Sequence, residues 1–469
     1  MTEEGSVSTA KRTTSIDDGD KEVISKIPNL EIAQLRFLVN SPELEPSLKA
    51  SSWKALIEVC FNNFLSFPFD FPICFTMNSM KRNFHLLVIS KIPNLEIAQL
   101  RFLVNSPELE PSLKASSWKA LIELIKENEM GPYYKIVCDE IGAAINETML
   151  CELKEKNEKR LKEIDAEIED AEQNLGESEV RQALLRKSEY LCQIGDKEAA
   201  VAAFRKTYEK TVGLGYRIDL VFNLIRLGLF FLDHQLINAN IAKAKDLMEQ
   251  GGDWERKNRL RSYEGLYKMA IRDMKGAAAL FLEAVPTFGS YELMSYEHLI
   301  FYTVICAVYA LERPDLRTKV IRCNEIQEQL TGGGEKGALI PVKQYLEAFY
   351  GCKYDELFVV LAQLESERLK FDRYLAPHYN FYSRAMRLKA YQQFLTPYKT
   401  VRLDMMARDF GVSKAFIDKE LHALIAAGQL HCRIDAVRGV IEMNHPDTKN
   451  HLYRSVIRLG GINFYFSLI

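Results

Sequence analysis

The stretch from Thr400 to Met443 reads TVRLDMMARDFGVSKAFIDKELHALIAAGQLHCRIDAVRGVIEM, and it decides how this part of the chain folds. Its pattern predicts a helix, a tight turn, a second helix and a two-stranded hairpin. Gly411 stands where a helix needs a left-handed C-terminal residue, Ser413 is placed to cap the next helix, and Gly428 ends that helix. This order of elements is typical of a winged helix.

Apolar residues at helical spacing supply the predicted core of this winged helix, and alternating residues supply its hairpin. The core positions are Met406, Phe410, Ile417, Leu421 and Leu424. A short hairpin that ends a small sheet leaves unpaired backbone groups along its edge, which predicts docking of a neighbouring strand there. The residues expected to carry that contact are Leu430, Arg433, Val440, Ile441 and Met443. The alternative is that these strands only close the core of their own domain.

The second helix of the winged helix argues against nucleic-acid binding. It carries Lys414 and Lys419 against Asp418 and Glu420, with His422 beside them, so its charges nearly cancel. Phosphate neutralisation dominates DNA affinity, and a helix that reads DNA usually exposes basic or amide side chains. The whole chain has 61 basic and 64 acidic residues and a net charge of -3, which gives no general attraction to anions. We therefore expect a protein partner and no nucleic acid.

A helical-repeat region precedes the winged helix, from about residue 179 to 330. The segments IGDKEAAVAAF and IRDMKGAAALF begin at Ile194 and Ile271 and match in register, 77 positions apart. An aspartate at a turn, a small residue where two helices touch and an aromatic in the next groove are typical of paired-helix repeats of about 34 residues. The predicted packing residues are Ala200, Phe204, Ala277 and Phe281. The middle unit is degenerate, with Ala242 and Ala244 near its expected crossing point.

The rest of the chain is divided by changes in pattern. We expect a disordered leader over 1–22, a duplicated or inserted and poorly ordered segment over 23–87, N-terminal helices and one long helix over 88–178, and an atypical, truncated tail over 446–469. Helices are expected from Tyr296 to Leu311 and from Pro314 to Leu330, and further helices over 338–398 lead into the winged helix at 399–445. The predicted fold class is mostly α: a right-handed, TPR-like α-helical solenoid that ends in a winged helix with a small β-hairpin.

One sequence occurs twice. The 36 residues from Val23 to Glu58 recur letter for letter from Val88 to Glu123. Structural repeats diverge at surface positions, because only the stacking face is constrained. Perfect identity therefore indicates a recent duplication, an alternative exon or a faulty gene model, and not a functional tandem array. The second copy continues directly into the predicted helices after it, so we expect it to be the integrated one.

The sequence contains no catalytic constellation. Its nine cysteines form no CxxC pair and no Cys/His cluster at zinc spacing, which suggests reduced thiols in a cytosolic or nuclear protein. The eight histidines include no HxH or HExxH pair. No catalytic residue, cofactor, metal site or membrane span is predicted, and the chain is not expected to be an enzyme.

Several segments carry a resemblance to a known family. YLCQIGDKEAAVAAFRKTYEKT from Tyr190, GGDWERKNRL from Gly251, ALERPDLRTKVI from Ala310 and APHY from Ala376, together with the winged helix, resemble the PCI-class subunits of the 26S proteasome regulatory lid. The resemblance covers roughly residues 92–451. It implies a non-catalytic scaffold in the cytoplasm and nucleus that contacts other PCI lid subunits, with the deubiquitinase subunit of the lid and the ATPase ring nearby, in a hetero-oligomer that supports ubiquitin-dependent protein catabolism.

Two alternatives remain, and one departure affects the resemblance. The alternatives are a PCI subunit of the signalosome or of translation initiation factor 3, and, more distantly, a nucleic-acid-binding winged-helix regulator. The departure is the C-terminal INFYFSLI, whose alternating apolar residues are typical of a strand, where the family continues into a long bundle helix. We therefore expect insertion into that bundle to be weakened.

Overall fold

The computed structural model describes residues 92–333, 337, 339–443 and 452–457. Within them the predicted fold class is confirmed, because a long series of paired helices leads into a small domain of helices and short strands. The predictions for the leader at 1–22, for the segment at 23–87 and for the terminal INFYFSLI lie outside the described residues.

Four helices form the N-terminal part. They are α1 (Leu95–Asn105), α2 (Pro111–Glu127), α3 (Gly131–Ile141) and α4 (Glu147–Asn174). The first three share an apolar core that includes Ile97, Leu121 and Val137, all almost completely buried. The long helix α4 begins where the side chain of Asn146 accepts a hydrogen bond from the backbone of Met149, which satisfies one of the free N–H groups at the helix start. Its narrow apolar seam packs on the next helix.

Three helix pairs follow in the repeat region. They are α5 (Glu177–Ile194) with α6 (Lys197–Glu209), α7 (Leu214–Phe231) with α8 (His234–Glu249), and α9 (Trp254–Ala270) with α10 (Met274–Ala284). The second helix of each pair begins at an aspartate whose carboxylate accepts backbone N–H groups: Asp196, Asp233 and Asp273. The same capping chemistry therefore recurs at each turn, although the surrounding sequence varies.

The predicted packing residues all lie inside the repeat region. Ala200 and Ala277 are fully buried, and Phe204 and Phe281 are at most 1% exposed. At the last pair, a Cβ atom built on Gly265 would lie 2.7 Å from the ring of Phe281, so α9 and α10 approach each other as closely as a glycine allows. The aromatic ring fills the space that the missing side chain leaves.

The middle pair uses different residues from those expected. Ala244 is buried, but Ala242 is exposed. Counting from the capping aspartate, the positions equivalent to Ala200 and Phe204 are Ile237 and Ile241, and both are buried. Here the small residue is Gly228 on the first helix of the pair, where a Cβ would lie 2.7 Å from Ile237. A glycine on the first helix therefore again meets a large residue on the second, as Gly265 meets Phe281, but the second helix carries the larger Ile237 where the first pair has Ala200.

The helix predicted from Pro314 to Leu330 is wrong as a continuous element. After α11 (Tyr296–Ala310), the chain forms short α12 (Arg313–Leu316), a π turn (Arg317–Ile321), short α13 (Asn324–Glu328) and a second π turn (Gln329–Gly333). At the first π turn, the N–H of Arg322 donates to the carbonyl of Arg317, five residues back. The apolar residues Leu316, Val320 and Ile326 still reach the core, which the breaks in the helix allow.

Three helices connect the repeats to the winged helix: α14 (Ile340–Gly351), α15 (Tyr354–Leu364) and α16 (Tyr379–Leu395). A buried polar contact fixes α14 and α16 to α11, because the hydroxyls of Tyr345 and Tyr382 are 2.9 Å apart and Tyr382 donates to the carbonyl of Ile305 at 3.1 Å. Lys389 on α16 donates to three carbonyls at the end of α11, those of Val308, Tyr309 and Leu311, at 2.6 to 3.0 Å. An ammonium group therefore closes the C-terminal end of α11.

The position of Lys389 predicts a pH dependence of stability. Burial lowers the pKa of Lys389 to about 8, because the charged form loses hydration. An unfolded lysine has a pKa of about 10.4. Between these values the unfolded chain binds more protons than the folded chain, so the contribution of Lys389 to the free energy of unfolding rises with pH.

We expect the difference in unfolding free energy, unmodified chain minus Lys389→Met, to increase from about pH 8 to about pH 10.4 in chemical denaturation. The matched control is Lys319→Met, because Lys319 is largely exposed. A flat or falling difference for Lys389→Met would contradict the assignment.

The winged helix follows α16 along the chain. It consists of β1 (Thr400–Arg402), α17 (Leu403–Asp409), α18 (Lys414–Ala426), β2 (Cys432–Asp435) and β3 (Val440–Met443). The predicted core positions Met406, Phe410, Ile417, Leu421 and Leu424 are all buried. Gly411 and Gly428 adopt positive φ angles of 63° and 68°, and the side chain of Ser413 accepts the N–H of Phe416. Capping and periodicity therefore define both helices.

Candidate docking site on the winged helix

The sheet of the winged helix has three strands: the predicted hairpin of β2 and β3 is confirmed, and β1 is a third strand that the sequence pattern did not predict. The strand order is β1-β3-β2, with both pairings antiparallel. Val401 faces Ile441 across one pairing, and Ile434 faces Ile441 across the other. The added strand is only three residues long and runs directly into α17, so a single apolar residue, Val401, gave too little alternation to reveal it.

The strand order changes which backbone groups are free. Val440–Met443 is the central strand, paired on both sides, and the free edges belong to Thr400–Arg402 and Cys432–Asp435. The prediction that the hairpin as a whole offers an edge is therefore corrected: only its first strand does. A proline at Val440 would break the sheet from inside, because a central strand needs its N–H groups for the ladder.

The hydrogen-bond ladder shows where the free backbone groups lie. The N–H of Met443 donates to the carbonyl of Lys399 and the N–H of Leu403 donates to the carbonyl of Gly439, both at 2.9 Å. Residues along an antiparallel strand direct their N–H and C=O groups alternately to one side and the other. It follows that Cys432 and Ile434 on β2 direct these groups away from the sheet. On β1 the outward residues are Thr400 and Arg402.

The side chains expected at the contact fall into two groups. Leu430 is 3% exposed and Ile441 is completely buried, so both belong to the core, and their assignment to a contact surface is corrected. Arg433 is exposed, and Val440 and Met443 are half-buried. The buried pair fills the space beneath the sheet because it lies on the inward side of the pleat. Of the five predicted contact residues, Arg433 is the one whose side chain is exposed.

Exposed apolar side chains occur on both helices and in the hairpin turn of the winged helix, and the sequence pattern did not identify them. Val437 at the tip of the hairpin is 97% exposed, Met405 is 52% exposed and Phe416 is 44% exposed. Met405 and Phe416 lie off the apolar stripes of α17 and α18, and Val437 stands alone in a polar turn. A large apolar residue off the stripe of a short amphipathic helix is the signal that could have found them.

The charges on α18 are mostly used within the chain. The carboxylate of Glu420 accepts hydrogen bonds from Arg387 (2.6 Å) and from the hydroxyl of Tyr391 on α16. Burial, with the carboxylate beside it, raises the pKa of Tyr391. Lys414 forms an ion pair with Asp404 at 2.9 Å. The side chains that remain exposed are Asp418, Lys419 and His422, a mixed set with little attraction for phosphate.

Two kinds of site are absent from the described residues. Across 92–333, 337, 339–443 and 452–457, no group of three or more His, Cys, Asp or Glu side chains is arranged to hold a metal ion. In the same part of the chain, none of the helices combines the length and the apolar character that crossing a membrane requires.

Comparison with known proteins agrees with this geometry. Residues 346–445 match the family model of the PCI domain, and residues 146–319 match the model described as 26S proteasome subunit RPN7. The 26S proteasome non-ATPase regulatory subunit 6 of Caenorhabditis elegans is 67% identical over 81% of this chain and 93% of its own length. The 26S proteasome regulatory subunit RPN7 of Saccharomyces cerevisiae is 34% identical over 79% of this chain and 91% of its own length.

A third relative lies further away. The COP9 signalosome complex subunit 1 of Arabidopsis thaliana is 24% identical over 78% of this chain and 83% of its own length. Paired helices that end in a winged helix, together with the family match, therefore place the chain in the class of PCI-domain proteins. The higher identity to proteasomal relatives then defines the branch: the chain belongs to the family of 26S proteasome non-ATPase regulatory subunit 6, also called RPN7.

Proposed function

We propose that the chain is a non-catalytic structural subunit of the proteasome regulatory lid, and that it holds a neighbouring PCI subunit through the free edge of β2. Family membership supports the first part. The single observation that carries the second is the outward direction of the backbone groups of Cys432 and Ile434. A strand from another subunit can pair with such an edge and extend the sheet.

The surroundings of this edge support protein docking. Arg433 is exposed on the strand itself, and Val437 projects from the turn after it. An exposed arginine and an exposed apolar residue beside a free strand edge provide the mixture of polar and apolar contact that protein interfaces use. Among the described residues, no backbone hydrogen bond to the outward groups of Cys432 or Ile434 is present.

The wider assignments follow from the family. We propose other PCI lid subunits as the direct partners within a hetero-oligomer, with the deubiquitinase subunit of the lid and the ATPase ring nearby, and a location in the cytoplasm and nucleus. The domain boundaries at 22, 87, 178, 330 and 398 are part of the same proposal. The helical arm then serves as a spacer between the lid contact and the N-terminal helices.

Sedimentation of a tagged chain from a cell extract tests this proposal. We expect it to sediment with proteasomal ATPase and peptidase subunits in a particle of the size of the assembled proteasome. Sedimentation with signalosome subunits instead would reject the proteasomal assignment and favour the role of the more distant relative. Binding to duplex DNA that weakens steeply with salt would favour the nucleic-acid alternative.

A further inference from the structure

Cations from three helices of the repeat region lie around one tyrosine ring. Tyr208 is near the end of α6, and its side chain is half-buried. The ammonium nitrogen of Lys243 on α8 lies 3.4 Å from the centroid of this ring, and the guanidinium carbon of Arg217 on α7 lies 5.3 Å from it. Arg205 lies one turn before Tyr208 on α6, and its charge acts on Lys243. We call Arg205, Arg217 and Lys243 the cation cluster.

No carboxylate neutralises the cation cluster. In the part of the chain that the structure describes, none of its three members forms an ion pair. Glu209 follows Arg205 by four positions and Asp246 follows Lys243 by three, yet neither carboxylate pairs with the cluster. Other cations of the same repeat region do have acidic partners: Lys197 with Asp233, Lys245 with Glu264 and Arg256 with Asp219. The cation cluster therefore departs from the pattern of its own region.

The cluster retains donors that the chain does not use. The Nε atom of Arg217 donates to the carbonyl of Thr211 at 2.6 Å, which fixes the guanidinium and leaves its two terminal nitrogens without an acceptor among the described residues. The ammonium group of Lys243 contacts the ring face of Tyr208, which is a cation–π contact and satisfies none of its N–H donors. An arginine fork and an ammonium group are thus available beside one another.

The arrangement is electrostatically unfavourable without a bound anion. Burial, and then the guanidinium groups of Arg217 and Arg205, lower the pKa of Lys243, because the charged form loses hydration and is repelled. The C-terminal end of α6 offsets part of this charge, but a helix end carries only about half an elementary charge. Most of the positive charge therefore remains uncompensated, and an anion bound here would remove the repulsion.

The number and kind of donors favour a phosphomonoester over other anions. Its charge is about -1.5 to -2 at pH 7 and it has three strong acceptor oxygens. A carboxylate, or one phosphate of a nucleic-acid backbone, carries a single charge. The two terminal nitrogens of a guanidinium match two phosphate oxygens, which a point charge cannot do. Arg217 can therefore bind such a group in bidentate fashion, with Lys243 and Arg205 supplying the remaining charge.

Apolar surface beside the cluster favours a phosphate that belongs to a protein segment. Val212 directly follows the residue whose carbonyl holds Arg217, and it is 80% exposed. Tyr216 directly precedes Arg217 and is 57% exposed. Free phosphate makes no use of such side chains, whereas the neighbours of a phosphorylated residue can pack on them.

We propose that the cation cluster binds a phosphorylated serine or threonine in a segment of a partner protein, with an adjacent apolar side chain of that segment on Val212. Phosphorylation of the partner then switches the contact on, because the unmodified hydroxyl brings no charge. The site lies on the helical arm and uses no residue of the β2 edge. It can therefore succeed or fail independently of docking in the lid.

A titration of the purified full-length chain tests the proposal. The probe is the peptide Ala-Leu-Ser-Leu-Ala, blocked at both ends and phosphorylated on its serine, and binding is followed by the ³¹P signal in NMR. Competitors are inorganic phosphate and the same peptide with glutamate in place of phosphoserine. We expect each competitor to bind about tenfold more weakly, which corresponds to the loss of one charge-assisted hydrogen bond or of the apolar contact.

Substitutions separate binding from folding. Lys243→Met keeps an unbranched apolar side chain over Tyr208 and removes the charge, so we expect about tenfold weaker binding of the phosphopeptide. Its melting temperature is expected to stay the same or rise, because repulsion is relieved. Arg205→Met should behave in the same way. The matched control is Arg408→Met, which removes one exposed arginine from α17 and should leave the affinity unchanged.

Four results would overturn the proposal. Equal affinity of the unmodified chain and Lys243→Met would exclude the cation cluster as the site. Equal affinity for the phosphoserine and glutamate peptides would exclude selection of phosphate, and equal affinity for inorganic phosphate would exclude a protein segment. Stronger competition by a DNA duplex than by the phosphopeptide would assign the cluster to nucleic acid. None of these results affects the lid assignment, because all are measured on the isolated chain.

Discussion

Replacing Ile434 with proline is expected to remove the chain from assembled lid particles while the helical arm stays folded. Ile434 lies on β2 and directs its N–H away from the sheet, so the proline removes a donor that only a neighbouring strand would use. Proline in an edge strand is tolerated when its missing N–H faces outward. A loss of incorporation of about tenfold corresponds to about 1.4 kcal/mol of binding free energy, in the range of one or two lost hydrogen bonds.

The matched control for this substitution is Ile434→Ala. The side chain of Ile434 packs partly on the core, so both changes remove that contact, but alanine keeps the N–H. We expect Ile434→Ala to assemble normally and to share whatever loss of thermal stability Ile434→Pro shows. Incorporation is measured by quantitative mass spectrometry of purified particles, with the helical arm monitored by circular dichroism.

The opposite edge of the sheet supplies a second control. Arg402 on β1 also directs its N–H outward, its side chain is 74% exposed and its φ of -78° suits proline. Arg402→Pro is therefore expected to fold and to assemble normally. If Arg402→Pro prevented assembly and Ile434→Pro did not, the docking edge would be β1 and the assignment to β2 would be wrong.

The helices of the winged helix could be predicted from sequence because their signals are local. Gly411, Ser413 and Gly428 each act through their own backbone or the next turn, and the apolar stripe of α18 is visible at spacings of three and four. Such features need no knowledge of distant residues. The same holds for the aspartates that begin α6, α8 and α10.

The strand order could not be predicted because it depends on a residue pairing that no local pattern records. Thr400–Arg402 becomes a strand only because Val440–Met443 lies beside it, some 40 positions later. That one pairing converts β3 from an edge into the centre and buries Ile441 between Val401 and Ile434. The contact surface predicted from alternation alone therefore contained core residues.

The contact between α1 and the turn at Phe371–Arg373 could likewise not be predicted from the sequence. Gln99 sits on an amphipathic helix as an ordinary polar residue, and its backbone partners lie more than 270 positions away. The packing residues of the middle repeat were missed for a related reason, because Ile237 stands where the first pair has Ala200, and the small residue that it meets is Gly228 on the other helix. When packing preserves the total side-chain volume but not the residue type, no fixed residue recurs at a given position of the repeat. The repeat then cannot be recognised from sequence identity.

Phe410→Ala is expected to produce the largest loss of stability of any single substitution considered, about 3–5 kcal/mol in the unfolding of the winged helix. Phe410 is 1% exposed and stands at the centre of four aromatic rings. Its ring centroid lies 4.7 Å from that of Tyr354, 5.1 Å from Phe358, 5.0 Å from Tyr391 and 5.3 Å from Phe394. Those partners belong to α15 and α16, so the ring joins the winged helix to the helices before it.

The expected loss has two parts, which a second substitution separates. Alanine removes apolar burial and leaves a cavity, whereas Phe410→Leu keeps most of the apolar volume and loses only the ring contacts, each of which contributes about 0.5–1.5 kcal/mol beyond area. Phe416→Ala is the surface control, because Phe416 is 44% exposed, and it should change stability by no more than about 0.5 kcal/mol.

Hydrogen exchange locates the effect of Phe410→Ala, because amides open with a free energy that reports their own cooperative unit. We expect faster exchange in α17, α18 and the sheet, with the repeat helices α5 to α10 unchanged. The carboxylate of Glu420, which accepts from Arg387 and Tyr391, is another link to α16 and should loosen together with the ring. A uniform acceleration across the whole chain would show instead that the winged helix and the arm unfold as one unit, and that Phe410 stabilises both.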